Sequence, residues 1–387
     1  GPLRLRELPD PAPPGPGWLV LEPRHTGICG SDVTQATLQA DWDNPLSGLV
    51  SFPHVMGHEV VASLLEPAGS DLAPGETVVL NPWLGCAARG LSPCPECSDG
   101  MLPLCAHGGE PIPGGGAGIH TGNIRGLPGG MGTLMVAHHS QLRRLPDGLD
   151  PRAGVLADPV AVGLHAGERA LGGHHHSSDL PIVVFGAGTI GLSVAAGLRH
   201  LGARSVLVSA AWAYQPALAR AVGAQAISAR PQAVVREVAA RTGGRLSRPW
   251  RGLPWLVSGG AAAVIDAVGS SATSELALAI VRPGGTVVRV GVGRARRQQA
   301  TLTYFKEVSV VGSNGYRRRD FDTALEMLGR DEVPWREWLT HRAALGRWRD
   351  AFRIAAEPER HAAVKVSLDI GAAKRTSEAT PAEERCD

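Results

Sequence analysis

Three separated stretches carry residues with metal-ligand chemistry: Gly27-Ile28-Cys29-Gly30-Ser31-Asp32, Gly57-His58-Glu59 and Ala157-Asp158-Pro159. A thiolate, an imidazole and a carboxylate suit Zn2+, and three protein ligands leave a fourth position open for water or substrate. An open zinc site lowers the pKa of a bound hydroxyl, which primes an alcohol to lose hydride. Taken singly, each residue has a simpler role: Cys29 as a small buried hydrophobe, His58 as a hydrogen-bonded core histidine, Asp158 as a helix cap ahead of Pro159. Their joint meaning depends on what else the chain carries.

A second group of ligand types is Cys86-x7-Cys94-x2-Cys97-x7-Cys105. Four cysteines crowded into twenty residues of a long chain read as metal binding before disulfides. Four thiolates with no open position describe a structural zinc that closes a loop with little core of its own. The other two cysteines are Cys29 and Cys386. Three consecutive histidines, His174 to His176, sit in a polar stretch and read as a solvated loop.

The third stretch is Ile182-Val183-Val184-Phe185, then Gly186-Ala187-Gly188-Thr189-Ile190-Gly191, then an amphipathic run from Leu192 to Leu201. Strand, glycine-rich turn and helix in that order form the fingerprint of a dinucleotide site. The turn bends tightly, lets a pyrophosphate approach the backbone, and presents free N–H groups at the helix start. A lone G-x-G-x-x-G would be weak in a chain with 50 Gly, but here the flanking elements are present.

These groups need two kinds of scaffold. From Trp18–Glu22 to about residue 150, short apolar runs such as Val60–Leu65, Thr77–Leu80 and Thr133–Ala137 are broken by Gly and Pro, the texture of an irregular β domain with long functional loops. From Pro159 onward, strands expected near 182–185, 205–208, 262–265, 286–290 and 308–311 alternate with helices near 189–201, 215–222, 231–241 and 272–281. That alternation predicts a parallel sheet wrapped by helices. Residues 243–260 read as a surface loop, and Gly371 to Asp387 as a disordered tail in which Cys386 has no role.

The 387 residues suffice for two domains with a buried core. The net charge of +2, from 38 basic and 36 acidic residues, implies no polyanion-binding surface and hence no nucleic-acid partner. No bilayer-spanning run or secretory signal is visible, so a soluble, cytoplasmic protein is expected.

Taken together, the motifs resemble those of the zinc-dependent alcohol dehydrogenases, within the medium-chain dehydrogenase/reductase superfamily, over nearly the whole chain. The residues that carry this are Gly27–Asp32, Gly57–Glu59, the cysteine cluster, Gly186–Gly191, Val264–Gly269, Pro283–Gly285 and Lys306-Glu307. The resemblance implies an α/β protein with a GroES-like β-rich catalytic domain (1–155), a Rossmann doubly wound parallel-sheet domain (156–300), and a return to the catalytic domain (301–370). It implies Cys29, His58 and Asp158 as catalytic-zinc ligands, with Glu59 a nearby or alternate ligand. Ser31 matches the hydroxyl that bonds the substrate oxygen and passes its proton onward, and Asp32 the carboxylate that orients the zinc histidine. The reaction is expected in the cleft between the domains, with Trp42 and Trp83 as its walls.

Four departures from the family pattern stand out. The position expected for the first structural-zinc cysteine is Leu91, and Cys86 serves only if the Ala87–Pro93 segment bulges out. Thr34 replaces the relay histidine found three residues after the catalytic serine in many relatives, leaving Thr34 or water to substitute. The strand after the glycine turn ends at Ser209, without the acidic residue that binds the ribose 2′-OH. This removes repulsion against a 2′-phosphate but leaves NAD and NADP both open, with Arg204, Arg220 and Arg230 as unassigned partners. Relatives carry about one more strand ahead of the stretch matching Leu3–Pro9.

The resulting expectation is a zinc-dependent NAD(P) oxidoreductase interconverting an alcohol, polyols and amino alcohols included, with its aldehyde or ketone, and assembled as a dimer or tetramer. The rivals are a zinc-free reductase of an activated double bond and a non-catalytic dinucleotide-binding protein.

Overall fold

Trp18–Ile28 is an eleven-residue strand in which apolar and β-branched residues keep nearly every position buried. It is the spine of a seven-stranded sheet. Glu59–Leu64 and Val366–Asp369 pair antiparallel with it, and Met135–His138 pairs with its first half. Beyond them lie Thr77–Leu80 and Leu142–Arg144 on one side and His341–Ala344 on the other. The register shifts between Pro23 and His25, where proline has no N–H to give the ladder, and the strand bends there. Leu19, Leu21, Val60, Ala62, Val78, Leu80, Met135 and Leu142 fill the core between these strands. The computed structural model describes residues 2–37, 45–66, 72–172, 180–293 and 300–371. Trp42, His174 to His176, Cys386 and nearly all of the expected tail lie outside the described residues.

The second sheet has six parallel strands in the order Ser309–Gly312, Val281–Arg289, Ala261–Asp266, Ile182–Phe185, Val206–Ala210, Gln225–Ser228. Numbered along the chain, that is 6-5-4-1-2-3, the doubly wound order whose reversal beside the first strand opens a crevice at the carboxyl edge. Near-continuous apolar runs such as Ile182–Phe185 suit strands buried on both faces.

The chain separates into two compact units: residues 1–158 with 339–387, and residues 159–338. The sequence-based boundary at 300 therefore falls inside the second unit, because Ser309–Gly312 is the sixth strand of its sheet and the helix Arg318–Gly329 belongs with it. Gln225–Ser228 is a strand the sequence reading missed. It lies at the sheet edge with only Ile227 buried, so it carries little apolar signal. The excursion expected as a plain loop folds into a hairpin of Arg245–Ser247 and Trp255–Ser258, with Trp250 fully exposed. Among the described residues, no helix is long and apolar enough to cross a membrane.

Candidate active site

Cys29 sits where the first strand ends and the helix Gly30–Ala36 begins, as that helix's N-cap. Glu59 opens the neighbouring strand with His58 just ahead of it, and Gly27 pairs with Glu59 across the ladder. A side chain at Gly27 would run into the Glu59 carboxylate, so glycine there makes room for it. The Cys29 thiol, the His58 ring and the Glu59 carboxylate each offer a ligand atom within 4.8 Å of the others.

Asp32 organises this group from the first turn of the helix. One carboxylate oxygen accepts the Cys29 backbone N–H at 2.9 Å, and the other lies 3.7 Å from His58 Nδ1. Neither that oxygen nor His58 Nδ1 has a hydrogen bond. Burial works against a charge on His58, yet Asp32, the Cys29 thiol and Glu59 together hold its pKa well above the ordinary value. Burial raises the pKa of Asp32, with His58 opposing.

Asp158 is not in the three-donor group; Glu59 takes the third place. Asp158 lies in the first turn of the helix Ala157–Leu171, where its charge reaches Lys365. Lys365 is a residue the sequence reading did not single out. Its Nζ donates to both Glu59 oxygens, at 2.5 and 2.6 Å, with both side chains buried. Burial pulls against its charge, but Glu59 and then Cys29 outweigh that and raise its pKa. Ser31 is exposed on the first turn of the helix, whereas the Thr34 hydroxyl donates to the Gly30 carbonyl of its own helix at 2.9 Å.

A second, polar layer comes from residues 117–123. The Trp83 and His120 backbones bridge, Thr121 N–H donates to Pro82 O, and Ser51 N–H donates to Asn123 O. Gly122 has φ +86°, and a Cβ there would stand 2.7 Å from the Gly57 carbonyl, so only glycine lets this loop press against the residue before His58. The His120 ring thereby lies 5.0 Å from the His58 ring and edge-on to Trp83 at 5.5 Å. Burial, then the nearby His58, lowers the His120 pKa to about 3. None of these loop residues except Trp83 carried a sequence signal.

The four clustered cysteines converge. Cys86 Sγ lies 3.7 Å from Cys105 Sγ, and Cys94 Sγ 4.0 Å from Cys105 Sγ. A tetrahedral site with Zn–S of about 2.3 Å has sulfur–sulfur edges of about 3.8 Å, whereas a disulfide needs about 2.05 Å. Cys86 reaches the group because Ala87–Arg89 coil into a 3-10 turn ending at left-handed Gly90, which carries Leu91 out to solvent. Arg89, buried inside the loop, donates to the carbonyls of Leu84, Gly85 and Gly118. A backbone N–H from Ala106 lowers the Cys94 pKa to about 7, while burial pushes Cys97 up. Among the described residues all five cysteines are free thiols. Both donor sets, one open with S, N and O and one closed with four S, have the composition zinc prefers.

In the second unit, Gly186 has φ +91° as the chain leaves its strand. A side chain at Gly191 would strike the Gly186 carbonyl, while Gly188 at the helix N-cap faces open space. Those are the three glycine roles of a dinucleotide turn: bend, phosphate approach and close helix packing. Ala187, Thr189 and Ile190 complete it, with Thr189 and Ile190 opening the helix Thr189–His200. Ser209 uses its hydroxyl oxygen to accept the Gly186 N–H at 3.1 Å, supporting the turn. Arg230 follows the strand Gln225–Ser228 and so lies at the carboxyl edge with the turn; Arg204 precedes its strand and lies at the opposite edge.

This fold and these donor sets define a dinucleotide-dependent, metal-binding dehydrogenase of two domains. Residues 15–147 match the family model "Alcohol dehydrogenase GroES-like domain", and residues 189–330 match "Zinc-binding dehydrogenase". The chain belongs to the zinc-dependent medium-chain dehydrogenase/reductase family, whose members include oxidoreductases of alcohols. It is similar to a probable D-xylulose reductase A of Arthroderma otae, 27% identical over 347 residues, 87% of this chain and 86% of that protein. It is also similar to L-galactonate-5-dehydrogenase of Escherichia coli, 27% identical over 343 residues, 88% of this chain and 87% of that protein. Among solved structures, an alcohol dehydrogenase from Thermus sp. ATN1 superposes with a TM-score of 0.72 at 26% identity, covering 94% of this chain and 95% of that one.

Proposed function

We propose that this chain interconverts a secondary alcohol of the polyol class and its ketone, with NAD or NADP as the hydride partner. The observation that carries the reading is the meeting of Cys29, His58 and Glu59 at the head of the helix that bears Ser31. The polyol class is supported by the sugar-derived alcohols in the names of the similar xylulose reductase and galactonate dehydrogenase. Zinc, when bound, supplies the Lewis acidity that makes the substrate hydroxyl acidic, and the nicotinamide supplies the hydride acceptor.

Everything else falls to this chain's own groups. Cys29, His58 and Glu59 are the first ligand set; Asp158, expected from the sequence as the third ligand with Glu59 as the alternate, takes the alternate place. Asp32 holds the His58 ring and the Cys29 backbone in place. Lys365 neutralises Glu59 and keeps its carboxylate fixed. Ser31 takes the substrate hydroxyl proton and delivers it to water, since Thr34 is tied to its own helix. Gly186 to Gly191 hold the pyrophosphate, and Cys86, Cys94, Cys97 and Cys105 hold the structural zinc.

The free thiols suit a reducing compartment, which supports a cytoplasmic location. A homodimer or tetramer is supported by the strand Ser309–Gly312, which among the described residues has a neighbour in its sheet on one side only. Light scattering tests that assembly.

The deciding experiment is zinc per chain by elemental mass spectrometry on dialysed protein, joined to a screen of alcohols with both cofactors. Two zinc ions per chain, one lost in Cys29→Ser together with turnover, is the expected result. Folded protein that binds no zinc sinks this reading and promotes the zinc-free reductase.

A further inference from the structure

Gln35 lies on the same helix as Ser31 and one turn further on, so the two side chains share a face, with Cβ atoms about 6 Å apart. Its amide stands at the end of a row of hydrogen bonds. His120 Nδ1 meets the Thr121 carbonyl at 2.9 Å, His120 Nε2 meets Asn123 Nδ2 at 2.8 Å, and Asn123 Oδ1 meets Gln35 Nε2 at 3.0 Å. The last atom, Gln35 Oε1, is buried and has no hydrogen-bond partner among the described residues.

The direction of this row follows from its first member. A backbone carbonyl only accepts, so His120 carries its proton on Nδ1 and presents a bare Nε2. That nitrogen requires a donor, which sets the NH2 of Asn123 towards it and leaves the Asn123 oxygen facing Gln35. Gln35 must then donate through Nε2, and its oxygen is left as an acceptor. The asparagine is 5% exposed and its side-chain amide is engaged at both ends, by His120 Nε2 and by Gln35 Nε2, so it is held against reversal. A buried acceptor without a donor is unfavourable by itself and gains most from a ligand that brings an O–H or N–H.

We propose that Gln35 Oε1 accepts a hydrogen bond from a second hydroxyl of the substrate, one or two carbons from the reacting carbinol, and thereby selects polyhydric over monohydric alcohols. Asn123 and His120 are positioning residues: they fix which atom of Gln35 is presented and do not touch the substrate. An ammonium or amine at the same place satisfies the acceptor equally, so amino alcohols fall within the class. An ether or fluorine there offers only lone pairs and is rejected. This inference rests on the dehydrogenase reading above and adds the group that sets its specificity.

The test compares butane-2,3-diol with 2-butanol, and pentane-2,4-diol with 2-pentanol, on the zinc-loaded enzyme with its cofactor. The expected result is that Gln35→Leu lowers the diol-over-alcohol ratio of kcat/KM roughly tenfold for at least one pair. In the unaltered enzyme, replacing the second hydroxyl by methoxy lowers kcat/KM similarly, and replacing it by an amine does not. Asn123→Leu, which frees the Gln35 amide to turn, loses a smaller part of the ratio. Ratios unchanged by Gln35→Leu in both pairs overturn the proposal. Long-range 1H–15N spectra of the His120 ring need no turnover: a proton on Nδ1 and a bare Nε2 are expected, and a protonated Nε2 would reverse the row and overturn it. Absence of turnover with every alcohol, by contrast, defeats the dehydrogenase reading, and the His120 spectrum still decides which Gln35 atom is presented.

Discussion

Lys365 Nζ stands 2.5 and 2.6 Å from the two oxygens of Glu59, with the two side chains 3% and 1% exposed. A buried pair of this kind adds little net stability over apolar residues, but removing one partner leaves an uncompensated buried charge, at a cost of about 3–5 kcal/mol. Lys365→Met is therefore expected to destabilise the protein strongly, and Glu59→Gln added to it should restore part of the loss. Denaturant midpoints of the two variants check this. Equal stability of Lys365→Met and the parent would mean that Glu59 finds its compensation elsewhere.

The cysteine cluster predicts a specific zinc stoichiometry. Cys86→Ser removes a ligand whose sulfur lies 3.7 Å from that of Cys105, so the chain should keep one zinc and lose the other. The loop it closes has little apolar core beyond the sulfurs themselves, so early proteolysis between residues 86 and 105 should accompany the loss. Elemental analysis and limited digestion read the two effects separately.

The dinucleotide turn leaves no space at Gly191. Gly191→Ala would push a methyl group into the Gly186 carbonyl and force the strand and helix apart, an overpacking cost of about 1–3 kcal/mol. Binding of reduced cofactor, followed by its fluorescence, should fail in this variant while zinc content stays at the parent level.

Cofactor choice is expected to rest on Arg230, the arginine among the three candidates that follows its strand at the carboxyl edge. With Ser209 where a carboxylate would repel a 2′-phosphate, Arg230→Ala should raise KM for NADP roughly tenfold or more and leave KM for NAD nearly unchanged. Equal effects on both cofactors would remove Arg230 from the site.

Acid sensitivity follows from His120. Its pKa is about 3 in the folded protein and about 6.5 in the unfolded chain. Between those values the unfolded state binds the extra proton, so this contribution is complete above pH 6.5 and declines as pH falls, by about 1.4 kcal/mol per pH unit. His120→Gln should flatten the fall in unfolding free energy between pH 6.5 and 4. Parallel curves for variant and parent would show that the ring takes up its proton without unfolding.

Where chemistry depends on neighbours in the chain, the sequence alone was sufficient. The dinucleotide turn is a local object: Gly186, Gly188 and Gly191 are needed by one bend and one helix start, and their spacing announces both. The doubly wound sheet was legible for the same reason, because strands buried on both faces must be apolar along their length. Its edge strand Gln225–Ser228, and the boundary at Trp338, escaped since neither is marked by apolar periodicity. Cys29 and His58 stood out by type, and Cys86 by its crowding, though the 3-10 turn that brings Cys86 to its partners did not.

The tertiary structure decided what surrounds those residues. Lys365 is 306 residues from Glu59, and they meet because the strand carrying Val366 pairs beside Ile28. Glu59 joins Cys29 and His58, in the place expected for Asp158, because the ladder sets it opposite Gly27. Gln35, Asn123 and His120 form a row only because Gly122 packs on Gly57. A hydrogen bond or ion pair acts over about 3 Å, and the chain distance between its partners holds no information about that. Only the packing of the sheets supplies it.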